Sequence, residues 1–119
     1  MQNLPKPLRT LMYVPANKED WIRKAPKYGS DALILDIEDS VPLDEKSKAR
    51  KIASNLIEEI SLTGVSVFVR VNEIGSGLTQ DDVSYVVQKG LYGITLPMVK
   101  SLDDVKQLDE MLSVEEEKK

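Results

Sequence analysis

Four short runs of apolar residues recur along the chain, separated by longer segments that mix apolar and polar positions. The runs are "TLMYV", "ALILD", "VFVRV" and "GITLP", which begin at Thr10, Ala32, Val67 and Gly93. Each run is continuous rather than alternating, and this pattern is typical of strands covered on both faces. The hydrophobic pattern therefore predicts four buried strands.

The segments after the first two runs have helical periodicity and recognisable ends. In "NKEDWIRKAPKY" we expect Asn17 to cap a helix, with Asp20 as its bonding partner and Pro26 ending the helix early. The second segment is the more regular, and Gly64 is a favourable residue for its C-terminal end. Its apolar positions at helical spacing are Ala49, Ile52, Ala53, Leu56, Ile57 and Ile60.

Two further helical segments follow the third and fourth runs. One begins at Thr79, with Asp82 placed for a capping box, and ends near Gly90. The other begins at Ser101, with Asp104 in the same position. The charged tail "SVEEEKK" is predicted to be the solvated end of this last helix. Its apolar residues at helical spacing are Leu102, Val105, Leu108, Met111 and Leu112.

A strand followed by a helix, four times over, predicts an α/β fold with a parallel sheet, because each strand must return to the same end of the sheet by a crossover. Two architectures satisfy this order: a small doubly wound sheet, or part of a TIM-type (β/α)8 barrel, for which about 250 residues are typical. The chain of 119 residues supplies about half of that length. We expect residues 1–119 to form a single domain.

The composition limits the kinds of catalytic and binding site that the chain can form. The chain has no cysteine and no histidine, which excludes disulfides, thiolate zinc sites and imidazole bases, and favours an intracellular compartment. The net charge of −4 argues against a nucleic-acid partner. No apolar run is long enough to span a membrane, and the start "MQNLPKPLRT" has no hydrophobic segment behind its charges. We expect a cytoplasmic protein whose acid–base chemistry falls to carboxylates, lysines or tyrosines.

The second apolar run ends in three carboxylates. In parallel α/β folds, functional residues lie at the carboxyl ends of the strands, which is the position of these carboxylates. Alternation along an extended segment places Asp36 and Glu38 on one side and Ile37 on the other. Two such carboxylates repel each other, so a cation should lie close by, either Arg70, a metal or both. The structural alternative is an ion-pair network with Arg70, in which Asp39 caps the next helix.

Arg70 leaves an otherwise apolar strand, so its guanidinium should be partly buried, where it suits a carboxylate ligand or substrate. Pairing with the acidic cluster is the alternative. The glycines of "GSG" at Gly75 and Gly77 predict a turn, because the segment lacks the spacing and lysine of a phosphate loop. Basic residues near the first helix suit either solvation or phosphate binding. They are Lys18, Arg23, Lys24 and Lys27.

Several segments together resemble a known family. "LRTLMYVPANKEDWIRKA", "DALILDIEDSVPLDEKSKAR", "VFVRVN" and "GITLPMVKS" are similar, in order and spacing, to motifs of the citrate lyase beta subunit and of the malyl-CoA and citramalyl-CoA lyases. These proteins belong to the wider HpcH/HpaI aldolase family. The most specific combination is the LDxED segment with a following D-x-K-x-x-A-R and a later V-R-x-N.

The resemblance implies a TIM-type barrel, of which this chain supplies about four βα units, or half. It implies a divalent metal, Mg²⁺, that holds an enolate formed when a carbon–carbon bond is cleaved or made. Arg70 would hold and polarise the acid substrate, while Asp36 and Glu38 would border the metal and its waters. The family's own Glu and Asp metal ligands belong to the second half of the barrel, beyond residue 119.

The resemblance also implies substrates and partners. Tyr13, Lys18 and Lys24 match positions that contact coenzyme A or substrate, and the expected substrate is an acyl-CoA or acyl-carrier thioester. Met98 stands where the family commonly has a lysine, which removes one positive charge. Members of the family are often trimers or hexamers, and some are subunits of a lyase complex. An isolated half barrel would expose sheet edges, so we expect an oligomer.

Three functions follow from these observations. The first is a carbon–carbon lyase that cleaves a 3-hydroxy-acid thioester of the citryl-, malyl- or citramalyl-CoA type. The second is an aldolase for free 2-keto acids that does not use coenzyme A. The third is a non-catalytic half barrel that binds a ligand or a partner only.

Overall fold

The computed structural model describes residues 7–119. Residues 1–6, which belong to the predicted domain and to the amino-terminal segment, lie outside the described residues. In the described part, strands and α-helices alternate as the hydrophobic pattern predicts. The strands are β1 (Leu11–Pro15), β2 (Ala32–Asp36), β3 (Ser66–Arg70) and β4 (Leu91–Thr95). The helices are α1 (Glu19–Lys24), α2 (Lys46–Ser61), α3 (Thr79–Val86) and α4 (Leu102–Lys118).

The strands form one parallel sheet in the order β1-β2-β3-β4. A doubly wound sheet reverses its strand order at a switch point, whereas a barrel adds each strand beside the previous one. The order without reversal therefore selects the barrel arrangement over the doubly wound one. No helix between residues 7 and 119 is long and apolar enough to cross a membrane.

Helix α1 ends early, as the position of Pro26 predicts. The chain continues as a short 3-10 helix, Ala25–Tyr28, and then turns at Gly29 in the left-handed conformation, with φ of 81°. The predicted cap at Asn17 is wrong. Helix α1 begins at Glu19 without a side-chain cap, and the Asn17 amide instead donates to Glu45 Oε1 at 3.0 Å.

Helix α2 packs its buried face against the sheet. Its apolar positions at helical spacing are buried apart from the half-buried Ile52, which confirms the predicted face. They pack with β2 and β3 in one core cluster. The predicted cap at Asp39 is wrong, because Asp39 is exposed and a 3-10 turn, Leu43–Glu45, separates it from α2.

Helix α3 begins at Thr79 as predicted, but its capping box does not form. Asp82 is fully buried and accepts hydrogen bonds from Arg50 and Asn72, while the Thr79 hydroxyl donates to the Asn72 and Glu73 carbonyls. A short side chain with several donors nearby bonds to the set that packing brings closest.

Helix α4 follows Ser101, and Asp104 accepts from the backbone N–H of Lys100 rather than from that of Ser101. Its charged end is mostly exposed, as predicted. Glu115 is the exception, since it is buried and pairs with Lys118 and Lys119. The apolar side chains Leu108, Met111 and Leu112 pack against the core, whereas Leu102 and Val105 are exposed.

Gly90 joins α3 to β4 in a conformation that other residues rarely adopt, with φ of 101°. A Cβ atom there would lie 2.8 Å from Ser61 Oγ and 2.9 Å from Glu58 Cα. Gly90→Ala is therefore expected to lower the free energy of unfolding by about 2 kcal/mol, measured by urea denaturation. Gly75→Ala, where no atom lies within 4 Å, is the control. Equal midpoints for the two variants would contradict the prediction.

Candidate functional site

The register of the sheet brings the ends of four strands into one row. Pro15 pairs with Asp36, Asp36 with Arg70, and Arg70 with Thr95. The predicted residues Asp36 and Arg70 are therefore neighbours on adjacent strands at the carboxyl edge of the sheet. The Thr95 hydroxyl oxygen is buried and has no hydrogen-bond partner among the described residues.

Asp36 is the centre of the cluster, although only 1% of its surface is exposed. Its Oδ1 atom accepts from Arg70 Nε at 2.9 Å and from the Glu38 backbone N–H at 2.9 Å. Its Oδ2 atom accepts from Arg70 Nη2 at 2.8 Å, from the Ser40 hydroxyl at 2.7 Å and from the Ser40 N–H at 3.0 Å. Both carboxylate oxygens are thus fully engaged by the protein.

Arg70 lies between the buried carboxylate and the solvent. Its side chain is 25% exposed, its guanidinium carbon lies 4.7 Å from the centre of the Tyr13 ring, and Nε lies 3.6 Å from Glu38 Oε1. The hydrogen bond to Asp36 is the main reason that the Arg70 pKa is raised above its ordinary value. The fork geometry with Asp36 leaves further N–H donors of the guanidinium free to bind a ligand.

Two opposing effects act on the pKa of Asp36. Burial, the largest single effect, raises it, but the hydrogen bonds from Arg70, Ser40 and Glu38 together outweigh burial and hold the pKa well below its ordinary value. The charged form is therefore favoured in the folded protein. Asp36 stays ionised wherever the protein is folded near neutral pH.

This shift predicts a dependence of stability on pH. A carboxylate with a lowered folded pKa stabilises the protein above its unfolded pKa, here 3.8, and loses that contribution as the pH falls toward the folded value. As the pH is lowered from about 6 to 2, the free energy of unfolding of Asp36→Asn is expected to fall by about 1–3 kcal/mol less than that of the wild type. Urea unfolding at several pH values measures the difference. The exposed neighbouring variant Asp39→Asn should keep the wild-type slope, and a shared slope for all three proteins would contradict the assignment.

Glu38 differs from Asp36 in its surroundings. Ile37 between them is fully buried, while the Glu38 side chain is 24% exposed beside Arg70. Its carboxylate is therefore partly accessible to a ligand. Within residues 7–119, no group of three or more acidic side chains is arranged to hold a metal ion. The described residues alone supply no such ligand group for a magnesium ion.

The predicted binding residues line two neighbouring depressions. Tyr13 and Lys24 line a cavity of about 340 Å³, together with Trp21 and Tyr28. Lys18 lies with Lys48 and Trp21 along a second, more polar depression, and its ammonium group is 5.8 Å from the centre of the Trp21 ring. Tyr13 thus belongs both to the Arg70 cluster and to the first cavity, whereas Lys18 lies apart from that cavity.

The other residues of the predicted basic group do not gather around these depressions. Arg23 forms ion pairs with Glu19 and Glu59 on the exposed surface. Lys27 is also exposed, at the end of the 3-10 helix that follows α1. This outcome agrees with the solvated interpretation for these two residues. Met98, which stands in place of the family lysine, is exposed and has a positive φ of 55°.

Sequence reasoning missed three contributors to this edge of the sheet. Ser40 binds Asp36 through both its hydroxyl and its backbone N–H, a local contact that the spacing of Asp and Ser in "DIEDS" could have indicated. Trp21 lines both depressions. Lys46 is the lysine of the D-x-K-x-x-A-R motif, but its contacts were not predicted: it donates to the Ile37 and Glu38 carbonyls at 3.0 and 2.6 Å.

Comparison with known proteins places these features in context. A family model described as HpcH/HpaI aldolase/citrate lyase matches residues 9–119. The mitochondrial citramalyl-CoA lyase of Homo sapiens is 34% identical over 102 residues, which are 84% of this chain and 30% of that protein. A citrate lyase subunit beta-like protein of Deinococcus radiodurans is 33% identical over 112 residues, 91% of this chain and 39% of that protein. The chain thus spans between 30% and 39% of the length of these relatives.

Solved structures of known proteins are also similar to this chain. The CitE protein of Mycobacterium tuberculosis, in complex with magnesium and pyruvate, superposes with a TM-score of 0.68 at 26% identity, covering 82% of this chain and 39% of that one. The same protein with magnesium, acetoacetate and coenzyme A gives a TM-score of 0.66 at 26% identity, covering 82% and 35%. The four parallel strands and their helices form half of a TIM-barrel-like fold, and the predicted fold class is confirmed.

Proposed function

Because this chain belongs to the HpcH/HpaI aldolase/citrate lyase family, we propose that it supplies the amino-terminal half of a carbon–carbon lyase. The substrate is a 3-hydroxy-acid thioester of the citryl-, malyl- or citramalyl-CoA type. The observation that carries the proposal is the cluster of Asp36, Glu38 and Arg70 at the carboxyl edge of a half barrel, beside Tyr13. That edge is where barrel enzymes place their chemistry.

In this proposal Arg70 contacts the acid or carbonyl group of the substrate. Its guanidinium is fixed on one side by Asp36 and retains donors on the other, so it presents a preorganised positive charge. Asp36 acts through Arg70, because both its oxygens are already engaged. Glu38, which is partly exposed beside Arg70, is the carboxylate placed to face the reacting group or the waters of a metal.

Magnesium, when bound, supplies a Lewis acid that stabilises the negative charge of an enolate. Its presence in the CitE structures named above supports the same cofactor here. Residues 7–119 supply no ligand set, so we assign the metal ligands to the second half of the barrel, outside this sequence. This chain then contributes the fixed cation and one wall of the site.

The thioester would extend from Arg70 toward α1. Lys18 and Lys24 supply positive charge for the phosphates of coenzyme A, and Tyr13 and Trp21 supply aromatic surface. Coenzyme A in one CitE structure supports this choice over a free 2-keto acid. An acyl-carrier thioester would present the same phosphopantetheine-type group.

The half barrel also has implications for assembly. Strands β1 and β4 are the edges of the four-stranded sheet, and Leu11, Tyr13 and Tyr92 on them are about half exposed. Such edges pair readily with further strands. We therefore propose that residues 1–119 are the amino-terminal part of one barrel domain, completed by further chain and assembled as a trimer, a hexamer or a lyase complex.

A second candidate function is binding without catalysis. The absence of a metal-ligand group within residues 7–119 favours it for a protein that consists of this half barrel alone. Such a protein would bind an acyl-CoA and release it unchanged.

The test begins with the intact mass and oligomeric state of the purified protein. The same sample is then assayed for magnesium-dependent cleavage of malyl-, citramalyl- and citryl-CoA, and for binding of each thioester. Turnover that requires magnesium, and that falls about a hundredfold in Arg70→Lys but not in the surface variant Arg23→Lys, supports the lyase. Binding without turnover supports the second candidate. Neither binding nor turnover with any thioester would exclude both functions.

A further inference from the structure

The first two turns of α2 carry two cations that reach toward the loops of the site. Lys46 donates from Nζ to the Ile37 carbonyl at 3.0 Å and to the Glu38 carbonyl at 2.6 Å. These carbonyls belong to the loop after β2, which carries Glu38 and Ser40. The ammonium group thus satisfies backbone acceptors of the acidic loop and ties that loop to the helix.

Arg50, one helical turn further on, reaches the neighbouring loop through a buried carboxylate. Its Nε and Nη2 atoms both lie 2.9 Å from Asp82 Oδ1, and its residue surface is 8% exposed. The other oxygen, Asp82 Oδ2, accepts from the Asn72 backbone N–H at 2.9 Å and from its side-chain amide at 2.7 Å. Asn72 follows Arg70 by two residues, so this network holds the chain just after the Arg70 strand.

We infer that α2 sets the relative position of the two loops, and that Lys46 and Arg50 are positioning residues for Glu38 and Arg70. Residues four apart lie on the same face of a helix, so one rigid element holds both loops. Reacting groups tolerate displacements of only about 0.5 Å, so a shift of either loop is expected to slow catalysis. This consequence for catalysis rests on the proposed function. The loop geometry itself does not depend on that function.

The polar chemistry of these contacts indicates positioning rather than packing alone. A buried ion pair adds little net stability compared with apolar residues of similar volume. Here, however, Asp82 bonds to the backbone and amide of Asn72 and bridges them to Arg50, which an apolar residue could not do. Likewise, the three donors of a lysine ammonium suit two adjacent carbonyls.

The experiment measures amide hydrogen exchange by NMR in the whole protein. The variants are Lys46→Met, Arg50→Met and, as a control with the same charge change on an exposed part of α2, Lys51→Met. Lys46→Met is expected to speed exchange of the Glu38 and Ser40 amides about tenfold and to leave Asn72 unchanged. Arg50→Met should do the reverse, and Lys51→Met should change neither loop. If Arg50→Met does not fold, Arg50→Lys replaces it, since it keeps the charge but loses the fork.

Exchange that rises equally in both loops and in the β3 core, or that stays at the wild-type rate in both loops, would overturn the inference. Where the wild type cleaves a thioester, both variants should lower kcat about tenfold or more, with a smaller change in KM. Local loosening with wild-type kcat would refute the positioning role. A wild type without turnover refutes the proposed lyase instead, and the exchange rates still decide whether α2 positions the loops.

Discussion

Asp82→Asn is expected to lower the free energy of unfolding by about 4 kcal/mol, the largest loss among the substitutions considered. Asp82 is fully buried, and its carboxylate is the partner of the Arg50 guanidinium and of two N–H groups of Asn72. An asparagine cannot neutralise the buried cation and offers one acceptor oxygen in place of two. The variant therefore leaves a charge and at least one donor buried without a partner.

Urea unfolding at pH 7 measures this loss, and the sequence supplies a matched control. Asp81→Asn removes the same charge from the first turn of the same helix, but its side chain is exposed. Its midpoint should stay close to that of the wild type. The double variant Arg50→Met with Asp82→Leu should recover part of the loss, because it removes both charges together. Strictly additive losses would contradict the coupling.

Arg70→Met is expected to lower the free energy of unfolding by about 3 kcal/mol. The substitution leaves the buried Asp36 carboxylate with only the Ser40 and Glu38 donors, and it removes the cation that lies over the Tyr13 ring. The expected loss is smaller than for Asp82 because the Arg70 side chain is a quarter exposed. Water can therefore reach part of the space that the guanidinium leaves.

Two further variants separate the structural role of Arg70 from a role in binding. Arg9→Met removes an arginine from an exposed pair with Asp31, at 3.6 Å, and should leave the unfolding midpoint nearly unchanged. Arg70→Lys keeps a charge beside Asp36 and should recover much of the stability, but not the paired hydrogen bonds. A stable Arg70→Met protein would show that Asp36 is satisfied without the guanidinium, and the structural ion pair would then be the weaker interpretation.

The structure relates the two interpretations of the acidic cluster that the sequence left open. The ion pair of Asp36 and Arg70 is present, as the structural alternative predicts. The ion pair does not use all the N–H donors of the Arg70 guanidinium, and Glu38 stays partly exposed beside that guanidinium. The two interpretations are therefore compatible, since the ion pair orients the group that the proposed function uses.

The accuracy of the sequence predictions differed between strands and caps. The bounds predicted for β2, residues 32–36, are those observed, because a strand covered on both faces appears as a continuous apolar run. Strand β4 begins two residues before the predicted Gly93, at Leu91, because pairing with Val67 of β3 extends it. The predicted cap at Asn17 failed, since the side chain found a partner in Glu45, which is distant in sequence.

The sequence by itself determined the alternation of strands and helices, the placement of polar residues at the strand ends, and the family resemblance. These depend on local periodicity and on the order of short motifs. Only the tertiary structure decided which charges pair, because Arg70 and Asp36 are 34 residues apart and Arg50 and Asp82 are 32 apart. A charged side chain bonds to whatever donor or acceptor packing brings within about 3 Å, and that distance is a property of the folded sheet and helices rather than of any local segment.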